Sequence, residues 1–320
     1  MPSLVAADAA YSTAHPDLRQ RHLGMLLGLA CGDAVGTTLE FKPRGSFTPL
    51  TDMVGGGPFD LQPGQWTDDT SMALCLAESL LEQGGHDPAD QLQRYVAWWK
   101  QGYLSSTGEC FDIGSTVAGA LYFHERTGQL RADTDDPMMA GNGSLMRLSP
   151  VVAWFHPQLE LAVEFAAASS LTTHTSAEAV DCCRLLAVVL CNALDGKPEA
   201  QLLEGAAGFL QEPAVLDIAA GSYRDKAVGQ IVGSGYSVRS LEAALWCVHT
   251  THNFEQAILA AANLGDDADT TAAIAGQIAG ALYGVEGIPS HWLQRLHQHE
   301  LIRNFAERIF AEGAGANLLR

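Results

Sequence analysis

Positive charge is scarce in this chain: 18 Lys and Arg stand against 37 Asp and Glu over 320 residues, a formal net charge of −19. Nucleic acid and anionic membranes call for basic patches, so neither is an expected partner. An anionic small molecule stays open if bound cations or backbone N–H groups offset the repulsion. Strand-like alternation is nearly missing; "GQIVGSGYSV" comes nearest, and its glycines mark it as a loop. No CxxC pair occurs among the seven cysteines, Cys31, Cys75, Cys110, Cys182, Cys183, Cys191 and Cys247. They fall mostly in apolar helix-like runs and read as reduced thiols of a cytoplasmic protein, and no His/Cys set has the spacing of a zinc site. The N-terminus "MPSLVAADAAYSTAHPDLRQ" lacks a basic head followed by an apolar run, so no signal peptide is expected. The run "LGMLLGLACGDAVGTTL" is broken by Asp33 and is too short to span a bilayer.

What is present is helical spacing. Hydrophobic residues make up 47% and charged ones 17%, the balance of a globular chain with ample length for a core. Met72, Leu76 and Leu80 recur at four-residue steps before a stop at Gly84-Gly85. "ADQLQRYVAWWKQG" aligns Leu92, Tyr95, Val96 and Trp99, and "TSAEAVDCCRLLAVVLCNALDGKP" opens on a Thr/Ser cap and closes on Gly and Pro. "LEAALWCV", "NFEQAILAAANL" and "HWLQRLHQHELIRNFAERIF" continue the pattern. The expected fold is all-α, a single compact domain over 20–312 of about ten or more helices, with an extension at 1–19 and a tail at 313–320. Long loops are expected near 40–66, 102–114, 131–150 and 220–240, where sites tend to lie.

Two helices carry glycine stripes: Gly24, Gly28, Gly32 and Gly36, then Gly276, Gly280 and Gly284. An interior glycine costs a helix about 1 kcal/mol relative to alanine. A bare stripe offsets that cost where another backbone approaches closely, so the two helices are expected in close contact, with each other or around a bulky neighbour.

The chemistry lies in the acids. "WTDDT" sets Asp68 and Asp69 at a helix start behind Thr67, and "NLGDDADTT" sets Asp266, Asp267 and Asp269 before Thr270 and Thr271. One carboxylate suffices for a helix N-terminus; two or three repel. Oxygen-only sets of Asp, Glu and Thr suit hard divalent cations, and two such ions would nearly neutralise four or five converging carboxylates, so a dinuclear cleft is expected. "CGDAVGTTLEF" adds Asp33 and Glu40 at the end of the first striped helix. Glu40 would complete the metal shell or act as acid or base; the plainer reading is a solvated loop Glu beside Phe41.

With these pieces in order, the chain from about residue 20 to about residue 290 resembles the ADP-ribosylglycohydrolases, the family of the dinitrogenase-reductase-activating glycohydrolase and the ADP-ribosylarginine and ADP-ribosylserine hydrolases. The matching segments are "GLACGDAVGTTLEF", "WTDDTSMAL", "FDIGSTV", "GNGSLMRLSP", "THTSAEAV", "GSGYSVRSLEAALW" and "LGDDADTTAAIAGQIAGALYG". The paired TDD and DxDT motifs are specific; the glycine loops alone are weak. The resemblance implies two Mg²⁺ or Mn²⁺ ions held by Thr67, Asp68, Asp69, Asp267, Asp269 and Thr270, with Glu40 beside them. It implies that Asp112, Gly114 and Ser115 line the ribose and diphosphate channel and that Asn142, Gly143 and His174 contact ADP-ribose. Tyr236 would stack on adenine. Asp266 stands where many relatives have a second Gly. Plainer readings stand beside these: His174 as an ordinary helix-start residue, and Arg147 paired with either phosphate or a core carboxylate. "GGHDPAD" puts His86-Asp87 in a turn, not in a phosphohydrolase-like helix.

The expected activity is metal-dependent hydrolysis of the glycosidic bond between ADP-ribose and an acceptor, most favoured as an ADP-ribosylated arginine side chain, with ADP-ribose as product and Glu40, Asp267 and Asp33 as candidate catalytic acids. Two rivals stay open: a helical Mg²⁺-dependent diphosphate enzyme, disfavoured because its aspartates would lie one helical turn apart, and a catalytically silent ADP-ribose-binding relative. Acceptor contacts fall to variable loops, and the sequence carries no signal for oligomeric state.

Overall fold

The glycine stripes set the centre of the molecule. In a computed structural model that describes residues 16–131 and 139–313, α1 (Leu18–Gly36) and α12 (Ala268–Tyr283) run antiparallel with their backbones in contact. Gly24 faces Gly280 and Gly28 faces Gly276; a Cβ on Gly28 would sit 2.3 Å from the Gly276 carbonyl oxygen, and one on Gly276 2.1 Å from that of Gly28. Farther along, Gly32 meets Ala272 and Gly36 meets Ala268. No real Cβ fits at such distances, so the stripe serves mutual backbone approach and not a bulky neighbour. Gly284 ends α12 at φ 69° over Pro16. Both helices are buried on nearly every side, which explains why neither is amphipathic.

Around this pair lie α2 (Asp68–Gln83), α3 (Pro88–Gln101), α4 (Ser115–Thr127), α5 (Gly143–Met146), α6 (Ser149–Phe155), α7 (Leu159–Leu171), α8 (Ala177–Leu194), α9 (Pro213–Ala219), α10 (Ser237–His249), α11 (Phe254–Ala262), α13 (Ser290–Arg295) and α14 (His299–Glu312). The described residues hold isolated bridges at Gly56–Leu61 and Gly141–Tyr236 and no strands. A main core joins α1, α12, α8, α10 and α11; a smaller one of Met72, Cys75, Leu92, Tyr95, Trp98, Val117, Leu121 and Met146 seats α3 and α4 on α2.

Several details differ from expectation. The boundary expected at residue 20 falls inside α1, which starts at Leu18 under an Asp17–Gln20 capping box. The buried face of α3 is Gln91, Leu92, Tyr95 and Trp98, while Val96 and Trp99 are half-buried. Steps of three and four from Leu92 and Tyr95 reach either tryptophan, and packing on α2 selects Trp98. The expected loop at 131–150 carries α5 and the start of α6, with part of it outside the described residues; the expected loop at 220–240 carries the start of α10. The run 291–310 breaks at Gln298, left-handed at φ 53°, into α13 and α14. In the "GGHDPAD" turn, Asp87 caps α3 through the N–H groups of Ala89 and Asp90, as ordinary capping requires.

A candidate dinuclear metal cleft

Because α1 and α12 are antiparallel, the C-terminal end of one carries Asp33 and Glu40 to the N-terminal end of the other, where Asp267 and Asp269 stand. The start of α2 arrives at the same place. Thr67 occupies its N-cap position, yet its hydroxyl does not cap. Asp33, reaching over from α1, accepts from the Thr67 N–H (2.9 Å), the Thr70 N–H (3.0 Å) and the hydroxyls of Thr67 (2.9 Å) and Thr70 (2.6 Å). Both of its oxygens are spent on these donors. Asp33 is wholly buried, holds the TDDT turn and is not among the residues that line the cleft.

With that turn held, the two acidic clusters meet. The Thr67 Oγ1 lies 3.4 Å from Asp269 Oδ2 and the Thr270 Oγ1 3.5 Å from Asp69 Oδ2, contacts that span about two hundred positions of chain. Ligand oxygens of Asp33, Asp69 and Asp269 fall within 4.8 Å of one another, as do those of Glu40, Asp112 and Asp269. Three buried carboxylate oxygens, Asp69 Oδ1, Asp269 Oδ1 and Glu40 Oε2, have no hydrogen-bond partner. Oxygens in that condition are costly unless a cation meets them, so the residues present fit hard divalent ions. Burial is the leading cause that holds Asp68, Asp69 and Asp269 well above the usual carboxylate range, with like charges adding to it. Burial, then Asp112 and Asp267, push Glu40 up to about 10; burial likewise lifts Asp112 to about 7.

Glu40, Asp68, Asp267 and Asp269 form one wall of a cleft of about 870 Å³, with Asp69 buried behind it. Ile113 through Val117, at the N-terminus of α4, line another; Gly114 takes the N-cap position, and no N-cap side chain accepts from the N–H groups of the first turn. The Asn142–Gly143 turn forms a third. Asn142 donates from Nδ2 to Asp267 Oδ2 (2.6 Å) and to Ser240 Oγ (3.1 Å), tying that turn to the second cluster and to α10.

Of the substrate contacts expected from the resemblance, Asp112, Gly114, Ser115, Asn142, Gly143 and His174 all line this cleft. Tyr236 does not: it takes the N-cap position of α10, and its phenol pairs with Glu178. Neither expectation for Arg147 holds. Its guanidinium is fully buried, lies 4.6 Å from the Tyr95 ring centre and donates to Thr173 Oγ1 at 2.7 Å, with no carboxylate partner among the described residues. An arginine can only donate, so the Thr173 hydroxyl hydrogen is left for His174 Nδ1, 2.8 Å away. Burial keeps His174 neutral, with its pKa lowered to about 3, and its remaining proton then sits on Nε2, at the ring edge packed beside Gly141 and Gly143. This relay went unseen in the sequence; the adjacent Thr173-His174 pair was its only trace.

The chain is similar to known proteins over most of its length. A family model described as ADP-ribosylglycohydrolase matches residues 14–318. The chain is 48% identical to an ADP-ribosylarginine hydrolase Tri1 of Pseudomonas putida (strain GB-1), covering 91% of this chain and 78% of that protein. It is 33% identical to the ADP-ribosyl-[dinitrogen reductase] glycohydrolase of Rhodospirillum rubrum, covering 88% and 92%. A solved structure described as an ADP-ribosylglycohydrolase-related protein complex superposes with a TM-score of 0.81 at 40% identity, over 92% of this chain and 99% of that one. On these matches over most of its length, the chain belongs to the ADP-ribosylglycohydrolases.

Proposed function

We propose that the chain hydrolyses the glycosidic bond between the ribose C1 of ADP-ribose and an acceptor, with an arginine-linked protein as the favoured substrate. The observation that carries this reading is the meeting of the Asp68-Asp69 and Asp267-Asp269 turns in one cleft with unpartnered buried oxygens. The choice of arginine leans on the name of the 48%-identical relative. Thr67, Asp68, Asp69, Asp267, Asp269 and Thr270 would hold two Mg²⁺ or Mn²⁺ ions. Such ions, when bound, neutralise the carboxylates and polarise oxygen ligands as Lewis acids.

The remaining work belongs to the chain. Backbone N–H groups at the start of α4 and in the Asn142–Gly143 turn hold the diphosphate, which spares the site basic side chains. His174 offers its Nε2 hydrogen at the cleft wall. Burial holds both Glu40 and Asp112 above the usual carboxylate range. In the reaction a water oxygen bonds to C1 as the bond from C1 to the acceptor nitrogen breaks; Glu40 or Asp267 takes the water proton and passes that same proton to the departing nitrogen. The products are ADP-ribose and the free side chain. Acids at i,i+1 and i,i+2 on helix N-termini do not suit a prenyl-type diphosphate enzyme. Seven free thiols support a cytoplasmic setting, and no described helix is long and apolar enough to cross a membrane.

A panel of arginine-, serine- and nucleic-acid-linked ADP-ribose, assayed with and without Mg²⁺ and Mn²⁺, tests the reading. Cleavage of the arginine linkage only in the presence of ions is expected, and Asp68→Asn or Asp267→Asn should each lower turnover about 100-fold or more. Full activity after EDTA treatment would overturn the metal requirement, and no cleavage of any linkage would overturn the activity.

A further inference from the structure

Six non-glycine residues among those described adopt left-handed backbone conformations, and three of them line the cleft: Phe41 (φ 60°), Asp112 (φ 58°) and Asp266 (φ 55°). Aspartate tolerates that region; a bulky aromatic does so only under constraint. Phe41 and Asp266 constrain each other. The Phe41 N–H donates to the Asp266 carbonyl (2.7 Å), and the Asp266 N–H donates to the Lys42 carbonyl (2.8 Å). This two-bond clasp joins the end of the α1 segment to the approach to α12, next to Glu40 and Asp267.

The clasp does not tuck its side chains away. Phe41 is 67% exposed, more than any other large hydrophobic residue described, and Asp266 is exposed as well. Burial therefore does not account for a phenylalanine where glycine would sit without strain. No described lysine or arginine lines the cleft, whose charged lining is Glu40, Asp68, Asp112, Asp266, Asp267 and Asp269. An exposed aromatic and an exposed carboxylate joined through their backbones, in a lining without basic side chains, suit a planar cation: the ring takes its face and the carboxylate its N–H edge.

We propose that Phe41 and Asp266 form the acceptor-recognition pair, receiving the guanidinium of an arginine-linked substrate at the mouth of the cleft while the ADP-ribose portion lies deeper. The assignment rests on the hydrolase reading above and adds to it the residues that select a cationic leaving group. It separates them from the groups that grip nucleotide and ions.

Two variants test the pair in the Mg²⁺-loaded protein. Phe41→Gly removes the ring and relaxes the backbone; Asp266→Asn removes the charge and keeps a residue that tolerates a positive φ. Each should raise KM for ADP-ribosylarginine about threefold to tenfold, with kcat changing less than twofold. Free ADP-ribose, which has no acceptor, should bind both variants and the parent chain alike by calorimetry. The melting temperature of Phe41→Gly should match or exceed that of the parent. Unchanged KM in both variants would overturn the pair, and so would ADP-ribose affinity falling in step with KM, because that places the residues against the nucleotide. A parent chain that binds ADP-ribose but leaves the arginine linkage intact would overturn the hydrolase reading itself, an outcome visible before any variant is made.

Discussion

Thr173 shows how much one hydroxyl can carry. It is the acceptor for a buried guanidinium and the donor to His174, and replacing it with valine would strand both partners at once. An unsatisfied buried donor costs about 1–3 kcal/mol, more when it is charged. Thr173→Val should accordingly lower the melting temperature and move the His174 proton to Nδ1, a change read from its ring ¹⁵N shifts; Thr173→Ser should do neither. The two aspartate clusters were legible as residues because adjacent carboxylates exceed any capping need. How Asp33 is held was not legible for an equally local reason: its four donors come from Thr67 and Thr70, more than thirty positions away, and nothing in "CGDAVG" announces them.

At the scale of elements, the α1–α12 pair decides where everything else lies. An alanine at Gly28 or Gly276 would gain about 1 kcal/mol of helix propensity and meet a carbonyl at 2.3 or 2.1 Å, so the backbones must part. The clash wins. Each single change to alanine should cost several kcal/mol, a fall of roughly 5–10 °C in melting temperature, and Gly28→Leu or Gly280→Leu should prevent stable folding. Gly119, in the interior of α4 with open space where a Cβ would go, provides the contrast. Gly119→Ala should raise stability by about 0.5–1 kcal/mol in the same melting experiment. The stripes were readable because glycine every fourth residue on a helix has few other purposes. Which partner each stripe met was not readable, since period alone does not say what lies across the groove. Tyr236 fell short for a related reason: "GSGY" suggests an exposed loop aromatic, but the start of α10 turns the phenol toward Glu178.

For the molecule as a whole, the cleft makes stability depend jointly on protons and cations. Asp112 and Glu40 titrate in the folded chain at about 7 and about 10, above their values in the unfolded chain. The folded state then holds more protons than the unfolded one from about pH 4 up to those values, so the contribution of these groups to stability falls as pH rises through that window. Divalent ions held as proposed above would displace the protons and remove the repulsion. The rise in melting temperature on adding Mg²⁺ or Mn²⁺ should therefore be larger at pH 8 than at pH 5, and ion at 100 times its Kd should add about 2.7 kcal/mol. Asp269→Asn should melt higher than the parent in EDTA and lose most of that ion-dependent gain, which differential scanning calorimetry would record.

By itself the sequence determined the all-α class, the glycine-striped helices and the two acidic helix starts, because each is written in short-range periodicity and composition. Only the tertiary structure decided that the stripes pair with each other, that Asp33 braces the TDDT turn, that Arg147 orients His174, and that Phe41 and Asp266 share a clasp at the cleft mouth. Those are contacts between residues tens to hundreds of positions apart, and local pattern fixes the face a side chain occupies but not the neighbour that face will meet.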